Sequence, residues 1–318
     1  MSEEKLIPMH FQDRDARMLE AIQEYGGILA RRQIQQLFWN GKSQRAMQNR
    51  LAKLKSHHYI NWPTPEQRKF NPVPEPIVWL DWRGVLFLAN SENCKVNPPK
   101  TENENQIRLL EQSMREKGFR WLREPRWTQL SHDLTCIDIR LKIENDISNT
   151  KYLRIEQWIN ETDLRSNYDC ITFTYKDKSG KFRSNRRGII PDGYFHIINQ
   201  ERESGGLPAK AHFLLEVDMA THANSSFGIE KAAAGAAYIS TEEYRSRFGS
   251  NVGRWIIVTT SDIRMRHLMY QTQEKADDKS SLFFFTTLSD FFSKNVFLEA
   301  IWSVCGETKT QFLLPEKE

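Results

Sequence analysis

The sequence predicts an α/β protein in which an N-terminal winged helix-turn-helix precedes a mixed (α+β) sheet flanked by helices. Two patterns carry this. Residues 13–80 show three helical spacings and then two short strand-like runs, at 59–62 and 77–80. From residue 151 onward, runs rich in β-branched and aromatic residues recur at 151–159, 171–175, 189–198, 211–219 and 255–260. Helices do not alternate one for one with these strands, so a mixed sheet fits better than the repeated βαβ pattern of a nucleotide-binding sheet.

In the N-terminal part, Asp13 and Asp15 precede Met18, Leu19, Ile22 and Tyr25 at helical spacing, and Gly26-Gly27 closes that helix. Ile28, Leu29, Ile34, Leu37 and Phe38 give a second helical face, broken by the Asn40-Gly41 turn. Ser43 can cap a third helix over 44–57, which buries Met47, Leu51 and Leu54. A Pro-rich, basic turn at 63–70 joins the two strands as a hairpin wing, and 82–89 reads as a short apolar helix closing the domain.

Charge points to the partner. Between Ile28 and Phe70 stand Arg31, Arg32, Lys42, Arg45, Arg50, Lys53, Lys55, Arg68 and Lys69 against Glu66 alone, so nine cations less one acid give a local +8 in a chain of net +4. Concentrated cations bind phosphate backbones through counterion release, and DNA is the expected partner. In the expected geometry the third helix enters the major groove, with Gln44, Gln48 and Asn49 suited to base edges and Arg31, Lys42, Arg45, Arg50 and Lys53 to phosphates.

The expected domains are 10–90 for the winged helix-turn-helix, 91–105 for a polar, turn-rich linker, and 106–318 for the remainder. Helices are expected at 106–117 and 131–145, at 230–248 after the acidic strands, at 262–271 and at 288–302, with a strand at 282–287. No run approaches the roughly 18 apolar residues of a membrane helix, and the start Met1-Ser2-Glu3-Glu4-Lys5 lacks a secretory pattern. A cytoplasmic protein with no membrane partner is expected. Cys94, Cys136, Cys170 and Cys305 are scattered without metal-ligand spacing and read as free thiols.

The chemistry lies in two acidic strands. Ile190-Pro191-Asp192-Gly193-Tyr194-Phe195 and Phe213-Leu214-Leu215-Glu216-Val217-Asp218 each set carboxylates among apolar residues. Charge in that setting needs hydrogen bonds or a cation. Phosphodiester cleavage needs an activated water and relief of negative charge on the phosphate, and Mg²⁺ held by two or three carboxylates supplies both. Asp192 and Glu216 are the candidate ligands for Mg²⁺ or Mn²⁺. Glu161 is a further candidate acid, and His132, at the start of a helix, a candidate phosphate contact.

Pro191-Asp192-Gly193, Glu216-Val217-Asp218 and the following helix with Lys231 resemble the core of the PD-(D/E)xK nuclease superfamily, whose fold is restriction-endonuclease-like. Together with the winged helix, Trp158-x-x-Glu161 and Leu164-Arg165, the stretch 10–263 resembles the replication-relaxation family of plasmid and integrative-element proteins. The resemblance implies a metal-dependent DNA endonuclease or nickase of plasmid or mobile-element replication or transfer, with the Val217 carbonyl as an additional metal ligand. A single winged helix usually gains affinity by dimerising or by recruiting a second DNA-binding domain, so a homodimer, or a complex with other replication or transfer proteins, is an expected assembly.

The chain departs from the superfamily at one place, where Asp218 stands in the lysine position. Either Lys231 reaches back to the acids, or Asp218 is itself a catalytic acid and metal ligand. Two alternatives stay open in the sequence: an inactive nuclease-like clamp, and a DNA-binding replication initiator or transcriptional regulator. A relaxase using paired metal-binding histidines is disfavoured, because His57-His58, His196, His212 and His222 lack the required spacing.

Overall fold

A computed structural model describes residues 9–99, 103–177, 179–220 and 227–314. The chain falls into two compact units, Met1–Ile137 and Asp138–Glu318. That division lies inside a helix, Leu130–Ser148.

In the first unit, α1 (Asp13–Glu24) buries Met18, Leu19 and Ile22 on one face. Gly26 and Gly27 stop it by taking φ values of 93° and 100°, a region glycine enters freely. The chain then forms β1 (Ile28–Ala30) before α2 (Arg31–Phe38), so the second helix begins three residues later than its apolar spacing predicts. Ile28 and Leu29 pair with Trp79 and Val78 instead; over so short an apolar run, periodicity does not separate strand from helix.

Ser43 caps α3 (Gln44–Ser56), its Oγ accepting from the Ala46 N–H at 3.3 Å. Met47, Leu51 and Leu54 face the core. β2 (Ile60–Asn61) and β3 (Ile77–Leu80) complete an antiparallel sheet of order β1-β3-β2. The segment between them forms α4 (Pro65–Phe70), because Pro65 is pre-set for the first helical turn and Thr64 caps it. α5 (Trp82–Ser91) runs so close to the Tyr59 backbone that a Cβ on Gly84 would lie 2.1 Å from the Tyr59 carbonyl oxygen. α6 (Glu104–Glu116) follows, and then α7 (Leu130–Ser148).

The second unit is a mixed sheet flanked by helices. Its elements are β4 (Leu153–Asn160), α8 (Glu161–Ser166), β5 (Asp169–Lys176), β6 (Phe182–Ile189), β7 (Gly193–Asn199), α9 (Gln200–Ser204) and β8 (Lys210–Asp218). A π-helical turn, Gly228–Ala233, then runs into α10 (Ala234–Tyr238), followed by α11 (Glu242–Phe248), β9 (Arg254–Thr259), α12 (Asp262–Ala276), β10 (Phe283–Thr287), α13 (Leu288–Ser293) and β11 (Ser303–Val304). Among the described residues the main sheet has the order β11-β10-β9-β8-β7-β4, and β5 and β6 pair as a separate hairpin. β8, β9 and β10 are parallel, while β4, β7 and β11 join antiparallel. The central strands are buried on both faces, as Phe213, Leu214, Leu215, Ile256, Ile257 and Val258 show.

Three elements are broken or cut short relative to their apolar patterns. The strand expected over 189–198 breaks at Ile190-Pro191-Asp192, where proline cannot donate to a ladder. The helix expected over 230–248 is interrupted because the Thr241 hydroxyl accepts from the Tyr244 N–H and starts a new helix. The helix expected over 288–302 stops at Ser293, and Lys294 is extended.

Candidate active site

β7 runs antiparallel to β8 with Gly193 opposite Leu215. That register brings the turn before β7, which carries Asp192, beside Glu216 near the end of β8. The Asp192 N–H donates to the Leu215 carbonyl at 2.9 Å, and Asp192 Oδ2 accepts from the Val217 N–H at 2.7 Å. Asp192 is therefore clipped to β8 on either side of Glu216. Glu216 is only 8% exposed, and a carboxylate so buried requires a partner. Lys231 Nζ lies 2.8 Å from its Oε2.

Lys231 projects from the π-helical turn, and small residues behind it set its reach. Ala232, Ala233, Ala234 and Ala236 are buried. Gly235 lies against Trp255, whose Nε1 donates to the Gly235 carbonyl at 3.1 Å; a Cβ at Gly235 would come within 2.8 Å of that ring. Burial opposes charge on Lys231, but the carboxylates of Glu216 and Asp192 outweigh it and hold the ammonium above the ordinary lysine range, with Arg187 pulling the other way.

Asp192 and Lys231 line a cavity of about 210 Å³ with Glu161, Arg165, Arg187 and Glu230. Glu161 opens α8, is buried, and forms an ion pair with Arg165 one turn on. Arg187 Nη2 stands 2.9 Å from Glu230 Oε2. The wall thus holds three carboxylates, an ammonium and two guanidiniums. Oxygen donors of this kind suit Mg²⁺ or Mn²⁺, and the cations beside them suit an anionic substrate. A larger cavity, about 630 Å³, near Ile197, Lys210 and Arg254 contains none of these groups. Arg187 and Glu230 were not candidates in the sequence; the Arg186-Arg187 pair just ahead of Pro191 is the signal that could have found the first.

Asp218 is placed differently from the other candidate acids. Arg264 donates to both of its oxygens, Nε to Oδ2 at 2.7 Å and Nη2 to Oδ1 at 2.8 Å, and the Thr259 hydroxyl donates to Oδ2 at 2.8 Å. Neither Asp218 nor Glu216 lines the 210 Å³ cavity, but Glu216 is joined to its wall through Lys231. Lys231 thus reaches back to Glu216, while Asp218 is held by Arg264 and Thr259.

His132 lies beside Cys136, 3.7 Å from its Sγ. His222 lies outside the described residues. His196 and His212, isolated in the sequence, face each other across β7 and β8 with ring centroids 5.0 Å apart. The Tyr194 hydroxyl is 2.7 Å from His212 Nδ1.

In the first unit, the outer side of α3 presents Gln44, Arg45, Gln48 and Asn49 to solvent, with Lys42 exposed just ahead of its cap. Lys53 is half-buried. Arg50 is turned away from that face: its Nε donates to Asp15 Oδ1 at 2.8 Å and its Nη2 to the His10 carbonyl at 2.8 Å. Its side chain is 12% exposed and that of Asp15 fully buried. Arg31 stacks over the Trp62 ring at 4.9 Å, and burial, aided by Arg68, lowers its pKa.

A family model described as replication-relaxation matches residues 19–251. The chain belongs to the replication-relaxation family. The matched stretch includes α3, Asp192, Glu216 and Lys231, and membership suggests a role in plasmid or mobile-element replication or relaxation, which involves DNA. No curated protein matches the chain. Among the described residues no helix is long and apolar enough to cross a membrane.

Proposed function

We propose that this replication-relaxation protein is a metal-dependent DNA endonuclease or nickase, brought to DNA by a winged helix-turn-helix. The observation that carries the reading is the convergence of Asp192, Glu216 and Lys231, with Lys231 Nζ 2.8 Å from Glu216 Oε2. Asp192 and Glu216, with the Val217 carbonyl, would hold Mg²⁺ or Mn²⁺, and Glu161 lies on the same cavity wall. A bound Mg²⁺ supplies an activated water and charge stabilisation at the phosphate.

The chain's own residues do the rest. The backbone bond from the Val217 N–H holds the Asp192 carboxylate in place, so little reorganisation is needed when substrate arrives. Lys231, held as an ammonium, donates to a water or to a phosphate oxygen and does not act as the base. Arg165 and Arg187 offer donors to the non-bridging oxygens as negative charge grows. Water attacks phosphorus, the new P–O bond forms as the bond to the departing strand end breaks, the water's proton is lost to solvent, and the departing oxygen takes a proton from solvent and leaves as a hydroxyl.

In the first unit, α1 to α3 with the β2–β3 hairpin fit a winged helix whose α3 enters the major groove. Gln44, Gln48 and Asn49 read base edges there, and Lys42 and Arg45 contact phosphate. The protein acts on DNA in the cytoplasm, as a homodimer or with other replication or transfer proteins of the element.

A second reading is a DNA-binding initiator whose nuclease-like unit is inactive. The Asp218–Arg264 pair favours it, since the usual lysine position then offers no donor to the water. Titration of Mn²⁺ into the metal-free protein tests the choice: Asp192→Ala and Glu216→Ala should each weaken binding, and binding unchanged by both would remove the metal from this cavity.

A further inference from the structure

The hairpin β5–β6 has no task in the cleavage reading. Among the described residues its strands pair only with each other, and residues directly opposite in such a pair project to the same side. Thr172 stands opposite Arg186, Thr174 opposite Ser184 and Lys176 opposite Phe182. All six are exposed, Phe182 by 72%. The other side carries the buried Ile171 and Phe173. A solvated ribbon face has no need of an exposed phenylalanine flanked by cations and hydroxyls, but a surface that meets a nucleic acid does.

Charge and position agree with that partner. Residues 169–189 contain the cations Lys176, Lys178, Lys181, Arg183, Arg186 and Arg187 and the acids Asp169 and Asp177, so six less two leaves +4. Asp169 is engaged by Arg247 and Tyr238, and Asp177 by Arg183. On the β5 side Lys176 lies 3.5 Å from Asp277, which leaves β6 the more cationic strand. β6 ends at Ile189, three residues before Asp192, and Arg187, Gly188 and Ile189 line the catalytic cavity. A strand of this length spans roughly 25 Å, enough to follow several successive phosphates of one DNA strand.

We propose that the exposed side of β5–β6 is a second DNA-contact surface, with Arg186, and the exposed Lys181 in the turn just ahead of β6, on phosphates and Phe182 against a sugar or unstacked base of the strand leading to the catalytic cavity. Its place beside the cleaved bond rests on the nuclease reading; the contact itself does not. The full chain in EDTA, titrated with a fluorescent random-sequence DNA duplex over a salt series, separates the two.

The Lys181→Glu/Arg186→Glu variant should bind at least about tenfold more weakly, with the salt slope reduced by about one unit per lost contact. Phe182→Ala should weaken binding at unchanged slope. Thermal melting checks that each variant is folded. Unchanged affinity and slope in the double variant would overturn the proposal. So would unchanged DNA binding with loss of self-association in sedimentation, which would assign the surface to a second copy. Weakened binding in a chain that shows no metal-dependent cleavage would reject the nuclease reading and keep the ribbon; cleavage with unaltered binding would do the reverse.

Discussion

Lys231 Nζ lies 2.8 Å from Glu216 Oε2, so the ammonium reaches the acidic strand from the following helix and not from two residues along it. If this pair serves the reaction, Lys231→Met should lower the cleavage rate by about 10²- to 10³-fold, the usual cost of one lost charge-stabilising donor. Mn²⁺ affinity should not fall, because no carboxylate is removed. A variant that cleaves like the wild type would make Lys231–Glu216 a structural ion pair.

Glu216 also controls the charge of that lysine. Its carboxylate and that of Asp192 hold the ammonium above the ordinary lysine range against the effect of burial. Glu216→Gln should therefore move the Lys231 pKa downward, readable from the side-chain amine signal by NMR titration. An unmoved signal would mean that the two groups are not coupled in solution.

Asp218 is expected to matter for stability. It receives both Arg264 bonds and that of Thr259, and removing one member of a buried pair costs about 3 kcal/mol or more. Asp218→Ala should lower the unfolding midpoint, and Asp218→Leu/Arg264→Met should recover part of the loss. If Asp218→Asn abolishes cleavage without changing stability, Asp218 belongs to the reaction after all.

On the DNA-binding side, Arg45 and Arg50 should separate cleanly. Arg45→Ala removes an exposed cation and should flatten the salt slope of binding by about one unit while leaving stability within about 0.5 kcal/mol. Arg50→Ala strands the fully buried Asp15 and should destabilise the protein by about 3 kcal/mol. Equal stability in the two variants would contradict that division.

His212 should make the protein acid-sensitive. Burial, with His196 and Lys210 adding to it, pushes its imidazole from 6.5 down to about 4. Above pH 6.5 the ring is neutral folded or unfolded, and stability is unaffected. Between there and about 4 the unfolded chain gains a proton that the folded chain refuses, so stability drops through that window, by at most about 3 kcal/mol, and levels off below it. His212→Asn should show a shallower loss between pH 6.5 and 4.5 in urea unfolding. Identical slopes would remove His212 from the acid response.

The parts legible in the sequence were those fixed by local chemistry. The cap at Ser43 follows from a single side chain, whereas the one at Thr241 was hidden by the long apolar-small run around it. The acidic strands were readable because carboxylates are rare between apolar neighbours. What sequence could not supply was register and direction. Nothing local says that Arg50 turns to Asp15 while Arg45 faces solvent, that His196 meets His212 across two strands, or that Asp218 is met by Arg264 from a helix 46 residues away. Ile28 to Ala30 became a strand only because Ile77 to Trp79 was there to pair with it.

The most direct measurement is the conversion of supercoiled plasmid to nicked or linear product in Mg²⁺, wild type beside Asp192→Ala and Glu216→Ala, with EDTA as control and DNA binding measured on the same samples. Metal-dependent product from the wild type, and none from either variant that still binds DNA, is the expected result. Intact supercoiled plasmid with the wild type in both Mg²⁺ and Mn²⁺, or equal product from all three proteins, would contradict the nuclease assignment.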